Sequence, residues 1–208
     1  AAKMERFFEF VGQQSKAVDQ SWDQPWGEWK SIRDHHNELR ATFRENKDKK
    51  REMTLVFRVF DDGIGFRYEM PNGANISDEL TEFNLTQDGT AWWIPAGEWN
   101  RYEYLYNRTP ISSVSQAHTP ITVKLEDGTH IAFHEAALVD YSGMWLRRID
   151  GTRFKATLSP GSGPAKVVKT GAFTTPWRTL AIADNAAGLY SASRISLNLN
   201  EPNKLGDV

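Results

Sequence analysis

The sequence predicts an all-β protein, a large antiparallel β-sandwich, and three observations support this fold class. Turns built on Asp-Gly pairs at residues 61–63, 127–128 and 150–151 separate segments in which apolar and polar residues alternate. Many other short apolar segments are bounded by Gly, Pro, Asn or Asp. Only residues 25–40 could hold a helical turn, and the helical period there is weak.

The first hairpin signal joins residues 53–60 to residues 64–70 through the turn Asp-Asp-Gly. Leu55, Phe57 and Val59 occupy alternate positions in the first segment, so an extended backbone places them on one face. The second segment repeats this alternation with aromatic residues and methionine. The pair is therefore predicted as two adjacent antiparallel strands.

Residues 121–133 and 144–158 show the same pattern around the turns Asp127-Gly128 and Asp150-Gly151, and each is predicted as a hairpin. The other predicted strands lack a matching partner in the local sequence. They are residues 7–13, 38–44, 79–85, 90–95, 165–171, 178–184 and 194–200.

The composition excludes several functional classes. The 208 residues suffice for one large domain, and a net charge of -2 gives no electrostatic attraction to nucleic acid or an anionic membrane. Cysteine is absent, which excludes disulfides and thiolate chemistry, and no apolar run approaches the ~18 residues of a membrane span. Because the chain begins with Ala1 and shows no signal peptide, we expect a processed or excised segment of a longer protein.

Two acidic motifs suggest chemistry but have simpler explanations. His134-Glu135 begins like a zinc protease motif, yet Leu138 stands where the second histidine is required, so a polar strand end is favoured. The acids of "ISDELTEF", Glu79 among them, alternate along a predicted strand and are interpreted as its solvated face.

Glu103 is the most informative acidic residue because aromatic residues surround it in the segment "AWWIPAGEWNRYEYLYNRTP". A carboxylate in such surroundings must reach solvent, pair with Arg101 or Arg108, or bind a cation. If residues 101–106 are extended, Glu103 projects away from the three tyrosines. The pattern alone favours an exposed glutamate, since a hard cation needs several oxygen ligands.

Six motifs in order carry a resemblance to a known family over nearly the whole chain. They are "QPWGEWKSIRDHHNELR", "VFRVFDDGIGFRYEMP", "AWWIP" with "YEYLY", "HEAALVDYSGM", "TPWRT" and "LNLNEPNK". Together they resemble the amino-terminal domain of glycoside hydrolase family 97, the α-glucosidases and α-galactosidases of gut-type polysaccharide-degrading bacteria.

The resemblance implies a galactose-mutarotase-like supersandwich over residues 1–198, incomplete at its amino-terminal end. Residues 199–208 would begin the linker to a (β/α)8 barrel that is absent from this sequence. The barrel holds the catalytic carboxylates in that family, so the resemblance places no catalytic residue in this chain. The barrel and an oligosaccharide substrate are the implied partners, and the implied location is periplasmic or secreted.

The resemblance also implies a metal role for Glu103. In α-glucosidase-type members a calcium ion lies beside the catalytic acid, and one of its carboxylate ligands comes from the amino-terminal domain. That glutamate lies in a Glu-Tyr-x-Tyr segment after an aromatic-Trp-Ile-Pro strand, which matches Glu103 here. Four residues in other family motifs are expected near the interface or behind the metal ligands: His134, Glu135, Trp177 and Arg178.

Two alternative functions remain open from the sequence. An independent carbohydrate-binding module would use some of the eight tryptophans as a platform for stacking on sugars. A mutarotase-like enzyme would need a histidine and a glutamate in an open cleft, for which His118 and His134 are the candidate histidines.

Overall fold

The computed structural model describes residues 3–46, 50–98 and 100–202. Within these ranges the chain forms sixteen strands, one 3₁₀ turn (Ile111–Ser113) and two short helices. The elements are β1 (Phe8–Asp23), β2 (Ser31–Glu45), β3 (Glu52–Phe60), β4 (Gly63–Met70), β5 (Ala74–Ile76), β6 (Glu82–Asn84), β7 (Gly89–Trp93), β8 (Asn107–Pro110), β9 (Gln116–His118), β10 (Ile121–Leu125), β11 (His130–Ala136), β12 (Met144–Asp150), β13 (Arg153–Leu158), β14 (Val167–Lys169), β15 (Phe173–Thr174), β16 (Trp177–Ala183), α1 (Ala186–Ala192) and α2 (Ile195–Leu199).

The strands form a sandwich of a large and a small antiparallel sheet. The large sheet has the order β1-β2-β3-β4-β16-β11-β10-β7-β8, with β15 also paired to β4. The small sheet has the order β6-β13-β12-β9, and β5 pairs separately with β14. The predicted all-β antiparallel sandwich is thus confirmed.

All three predicted hairpins are present. They connect β3 to β4, β10 to β11 and β12 to β13. Gly128 and Gly151 occupy the turns of the second and third hairpins with φ values of 95° and 40°. Side chains disfavour this region of φ, which explains why glycine follows aspartate at both turns.

The central part of the large sheet is covered on both faces. Its inner face packs against the small sheet, and Ile121, Phe133, Leu146 and Phe154 are among the buried residues of this core. On its outer face a second core lies between the sheet and the helices, and its main members are Val56, Phe60, Trp177, Ile195 and Leu199. Neither helix of the described ranges has the length and hydrophobicity needed to cross a bilayer.

The helical turn suggested for residues 25–40 is wrong, because β2 occupies Ser31–Glu45. Its buried positions alternate from Ile32 through Asp34 and His36 to Glu38, which is the period of a strand. Polar residues at the inward positions hid this period from a search for alternating hydrophobic residues. Their partners include an Arg58 guanidinium 2.9 Å from Glu38.

The strand predicted at residues 194–200 is also wrong, because this segment forms α2. Ile195, Leu197 and Leu199 alternate as in a strand, but Ile195 and Leu199 are also one helical turn apart. The helix buries both against the large sheet, and Asn198 Oδ1 accepts a hydrogen bond from Trp22 Nε1 at 2.9 Å. Of the linker predicted at 199–208, residues 203–208 lie outside the described part of the chain.

Leu199→Ala is expected to lower the free energy of unfolding by about 2–5 kcal/mol, because it leaves a cavity under α2. Leu199 is 4% exposed, whereas Leu105 is 93% exposed and serves as a matched control. Urea unfolding of the chain, followed by tryptophan fluorescence, measures both. An equal effect of Leu105→Ala would contradict the packing of α2 on the sheet.

Candidate functional site

Glu103 lies on a coil between β7 and β8, and the coil is not extended as a strand. Residues 101–106 pair with no strand, so the alternation of tyrosines on one face and Glu103 on the other stays a prediction. Strand β7 ends at Trp93, and the bridge between Pro95 and Ala117 marks where the chain leaves the sheet. The described residues that follow, 96–98 and 100–106, belong to no strand, so a pattern with a period of two does not place them.

Tyr102 attaches this coil to the small sheet. Its ring stacks on the ring of His118 in β9, with the centroids 4.0 Å apart and an interplanar angle of 29°. His118 is 1% exposed, and burial lowers its pKa. Burial, followed by the nearby charge of Glu135, raises the pKa of Tyr102. The coil thus lies beside the end of β11.

A second contact group lies within the coil itself. The Tyr104 hydroxyl donates to Glu98 Oε2 at 2.6 Å, and this hydrogen bond raises the pKa of Tyr104. The Arg101 guanidinium lies 4.9 Å from the Tyr104 ring centroid and 3.9 Å from Glu98 Oε2. Arg108, the other suggested partner of Glu103, lies over the ring of Trp92. Both arginines therefore have partners other than Glu103.

The Glu103 carboxylate is exposed, and its Oε2 accepts a hydrogen bond from the Tyr102 N–H at 3.1 Å. An exposed carboxylate oxygen is a suitable ligand for a hard cation such as calcium. Calcium takes six to eight oxygen ligands, and no group of three or more His, Asp or Glu side chains suited to a metal occurs among residues 3–46, 50–98 and 100–202. Glu103 therefore fits as one ligand of a site completed from elsewhere.

A buried charge cluster lies behind the coil. Arg178, fully buried in β16, donates to Glu79 through Nε at 2.9 Å and Nη2 at 2.5 Å. Its Nη1 donates to Glu135 Oε2 at 2.6 Å, while Glu135 Oε1 accepts the Met144 N–H at 2.9 Å. Burial raises the pKa of Glu135, and Arg178 opposes that rise. One guanidinium thus compensates two carboxylates inside the sandwich.

Hydroxyl groups surround this cluster. Thr81 Oγ1 donates to Glu79 Oε1 at 2.8 Å, and the Tyr68 hydroxyl lies 2.7 Å from the same threonine oxygen. Burial, followed by the charge of Glu79, raises the pKa of Tyr141 far above its usual range. The interpretation of Glu79 as a solvated strand residue is wrong. An arginine within the apolar strand "WRTLAIA" was the available signal, because a buried guanidinium requires carboxylate partners.

The structure brings only two of the four expected interface residues together, Glu135 and Arg178. His134 is exposed on the opposite face of β11, since neighbouring side chains in a strand alternate. Trp177 is buried in the outer core beneath the guanidinium groups of Arg58 and Arg67. An interface role for these four residues stays a prediction.

The last described residues return to the same edge of the domain. Asn200 follows α2, and its Oδ1 accepts the Ala137 N–H at 2.9 Å. Ala137 directly follows β11, two residues beyond Glu135, whose Oε1 accepts the Met144 N–H. The Met144 carbonyl accepts a hydrogen bond from Thr119, which follows His118, the residue under the Tyr102 ring. The coil bearing Glu103 and the carboxyl-terminal end of the described chain therefore lie at one edge.

The fold and the site define an antiparallel β-sandwich domain that carries one exposed carboxylate on an edge coil and a buried ion-pair cluster behind it. One exposed carboxylate on a coil cannot complete a calcium site, and the neighbouring pair of carboxylates is buried with Arg178. A family profile described as "Glycosyl-hydrolase 97 N-terminal" matches residues 2–202. The chain belongs to glycoside hydrolase family 97, as the amino-terminal domain of its glycosidases.

Solved structures and curated proteins agree with this assignment. A glycoside hydrolase family 97 enzyme from Pseudoalteromonas sp. strain K8, solved with panose and with acarbose, has a TM-score of 0.91 and 46% identity over 97% of this chain and 31% of its own. A probable retaining α-galactosidase of Streptomyces bingchenggensis is 29% identical over 89% of this chain and 28% of its length. A retaining α-galactosidase of Bacteroides thetaiotaomicron is 23% identical, over 95% and 34% respectively.

The family resemblance of the sequence is thereby confirmed. The chain spans about a third of the length of these relatives. The calcium ion, the role of Glu103 and the periplasmic or secreted location stay predictions.

Proposed function

We propose that this domain packs against a catalytic barrel in a calcium-dependent α-glycosidase and contributes Glu103 to a calcium ion shared with that barrel. The single observation that carries the proposal is the placement of Glu103. Glu103 lies on a coil that Tyr102 attaches to His118, at the edge where Asn200 contacts Ala137 after β11. A catalytic domain that continues the chain would begin at this edge.

Exposed apolar side chains at this edge support an interface. They belong to the Glu103 coil and to the loop after β11, and such groups near one another often mark a surface that a partner covers. The exposed fractions are 54% for Tyr102, 93% for Leu105, 63% for Tyr106, 48% for Leu138 and 76% for Val139.

In this proposal the domain orients groups and the barrel breaks the glycosidic bond. Hydrolysis of α-glycosides requires an acid for the leaving oxygen and a second carboxylate that attacks or activates water. Calcium supplies positive charge that orients neighbouring carboxylates. Glu103 is the ligand that this domain provides to the ion, and the coil around Glu103 excludes water from one wall of the site.

An α-glucoside is the favoured substrate class. The family 97 structure at 46% identity contains panose, a trisaccharide of α-linked glucose, whereas the α-galactosidase relatives are 29% and 23% identical. The 46% identity is measured over this domain, which in the proposal forms one wall of the substrate site.

The 208-residue chain alone is expected to show no turnover of aryl α-glucosides or α-galactosides, with or without calcium. The chain offers one wall of the proposed site and lacks the acid and second carboxylate of the barrel. The full-length enzyme is the positive control, and circular dichroism confirms that the isolated chain is folded. Sustained hydrolysis by the folded chain would refute the accessory role.

An independent carbohydrate-binding module is less well supported. Of the tryptophans in the described part of the chain, Trp26 is largely exposed at 71%, while Trp93, Trp145 and Trp177 are buried. Titration with maltooligosaccharides, followed by tryptophan fluorescence, distinguishes the two functions. Saturable binding by the isolated chain would favour the binding module.

A further inference from the structure

We infer that the stack of Tyr102 on His118 positions the Glu103 carboxylate for the shared calcium ion. This inference rests on the proposed function, because it assumes that Glu103 is a calcium ligand. Tyr102 and His118 are positioning residues that act through Glu103.

The link between the stack and the carboxylate is one residue long. Tyr102 precedes Glu103, and the Tyr102 N–H donates to Glu103 Oε2 at 3.1 Å. Fixing the Tyr102 ring therefore fixes both the backbone that carries Glu103 and a donor to its carboxylate. Because this hydrogen bond restrains Oε2, it also restrains the orientation of the whole carboxylate, including Oε1.

The platform under Tyr102 belongs to the rigid part of the domain. His118 lies in β9, pairs with Trp145 of β12, and donates its backbone N–H to the Ile94 carbonyl at 3.1 Å. The two ring centroids are 4.0 Å apart and the ring planes are inclined by 29°, which is a stacked contact. The coil thus rests on a fixed surface by close parallel contact, an arrangement that favours one ring position.

Among the described residues of the coil, the backbone contacts with neighbouring strands lie toward its two ends. Ala96 exchanges hydrogen bonds with Gln116 at 3.2 and 2.6 Å on one side, and β8 begins at Asn107 on the other. Glu103 lies between these contacts. Tyr102 is the residue next to Glu103, and its ring contacts the small sheet. This contact limits how far the Glu103 carboxylate can move.

The test uses the full-length enzyme and measures metal affinity directly. Calcium binding is followed by calorimetry, and Tb³⁺ is used as a luminescent probe that nearby tyrosines sensitise. Tyr102→Ala and Tyr102→Leu are expected to weaken calcium binding about tenfold, the scale of losing a group that orients a ligand. Tyr102→Phe and His118→Phe keep two stacked rings and should bind calcium with the wild-type affinity.

Two reference variants separate the outcomes. Phe10→Ala removes an exposed aromatic contact, Phe10 on Phe43, and should leave calcium affinity unchanged. Wild-type affinity in Tyr102→Ala and Tyr102→Leu, together with weakened affinity in Glu103→Gln, would overturn the positioning role alone. Wild-type affinity in Glu103→Gln would overturn the proposed function and this inference with it.

Discussion

Replacing Arg178 with Met is expected to lower the free energy of unfolding by about 3–5 kcal/mol, the scale of removing one partner from a buried ion pair. Arg178 is fully buried and compensates Glu79 and Glu135, whose side chains are each 7% exposed. Methionine fills much of the volume but leaves both carboxylates without a cation. Urea unfolding at pH 7 measures the loss.

The loss should shrink as the pH falls. Burial already raises the pKa of Glu135 above its ordinary value of 4.5, and removal of Arg178 removes the group that opposes this rise. A raised pKa means that the native state binds a proton more readily than the unfolded state, so the carboxylate destabilises the fold as the pH rises through that pKa. Arg178→Met is therefore expected to be closer to wild type at pH 5 than at pH 7.

Arg153→Met is the matched control because Arg153 also contacts two carboxylates, Asp150 and Glu82, but at the surface. Its expected effect is at most about 1 kcal/mol, as for exposed ion pairs. Equal losses in the two variants, or a loss in Arg178→Met that ignores pH, would show that the buried charges do not control stability.

Changing Glu103 to Gln in the full-length enzyme is expected to weaken calcium binding at least tenfold, about 1.4 kcal/mol or more. The amide keeps the shape of the side chain but removes a negative charge that a hard cation prefers. The free energy of unfolding should change little, because the Glu103 side chain is exposed. Calcium titration of activity and calorimetry measure the first effect, and urea unfolding the second.

Glu98→Gln provides the control for Glu103→Gln, since Glu98 is an exposed carboxylate on the same segment but is hydrogen-bonded to Tyr104. Its calcium affinity should match wild type. If both variants lose affinity equally, general negative charge explains the result; if neither does, Glu103 is not a ligand.

The hairpins were predictable because each depends on a few adjacent residues. An Asp-Gly turn between alternating segments encodes both the reversal and the register, as the pairing of β10 with β11 shows. The two errors in secondary structure, at residues 25–40 and 194–200, arose where tertiary contacts decide between helix and strand. Asp34 and His36 look polar along the chain but are buried in β2, and Ile195 and Leu199 suit a strand until the sheet beneath them selects a helix.

Of the candidate site, the sequence named Glu103, Glu135 and Arg178 through the resemblance, and their roles stay predictions. The resemblance identified Glu103, whose neighbours in sequence carry the motif. Glu79 and His118 were missed as partners because each meets its counterpart, Arg178 or Tyr102, only in three dimensions. A residue pattern with a period of two says which face a side chain occupies, but not which loop lies over it.

The central position of β16 has a consequence for synthesis on the ribosome. This strand joins β4 to β11, yet in sequence it follows all the other strands of the described domain. Until Trp177–Ala183 has emerged, the growing polypeptide holds two separate half-sheets, each with an open edge of unpaired backbone groups. Nascent chains stalled before this point would adhere to one another, and holding chaperones would have to protect both edges until translation passes it.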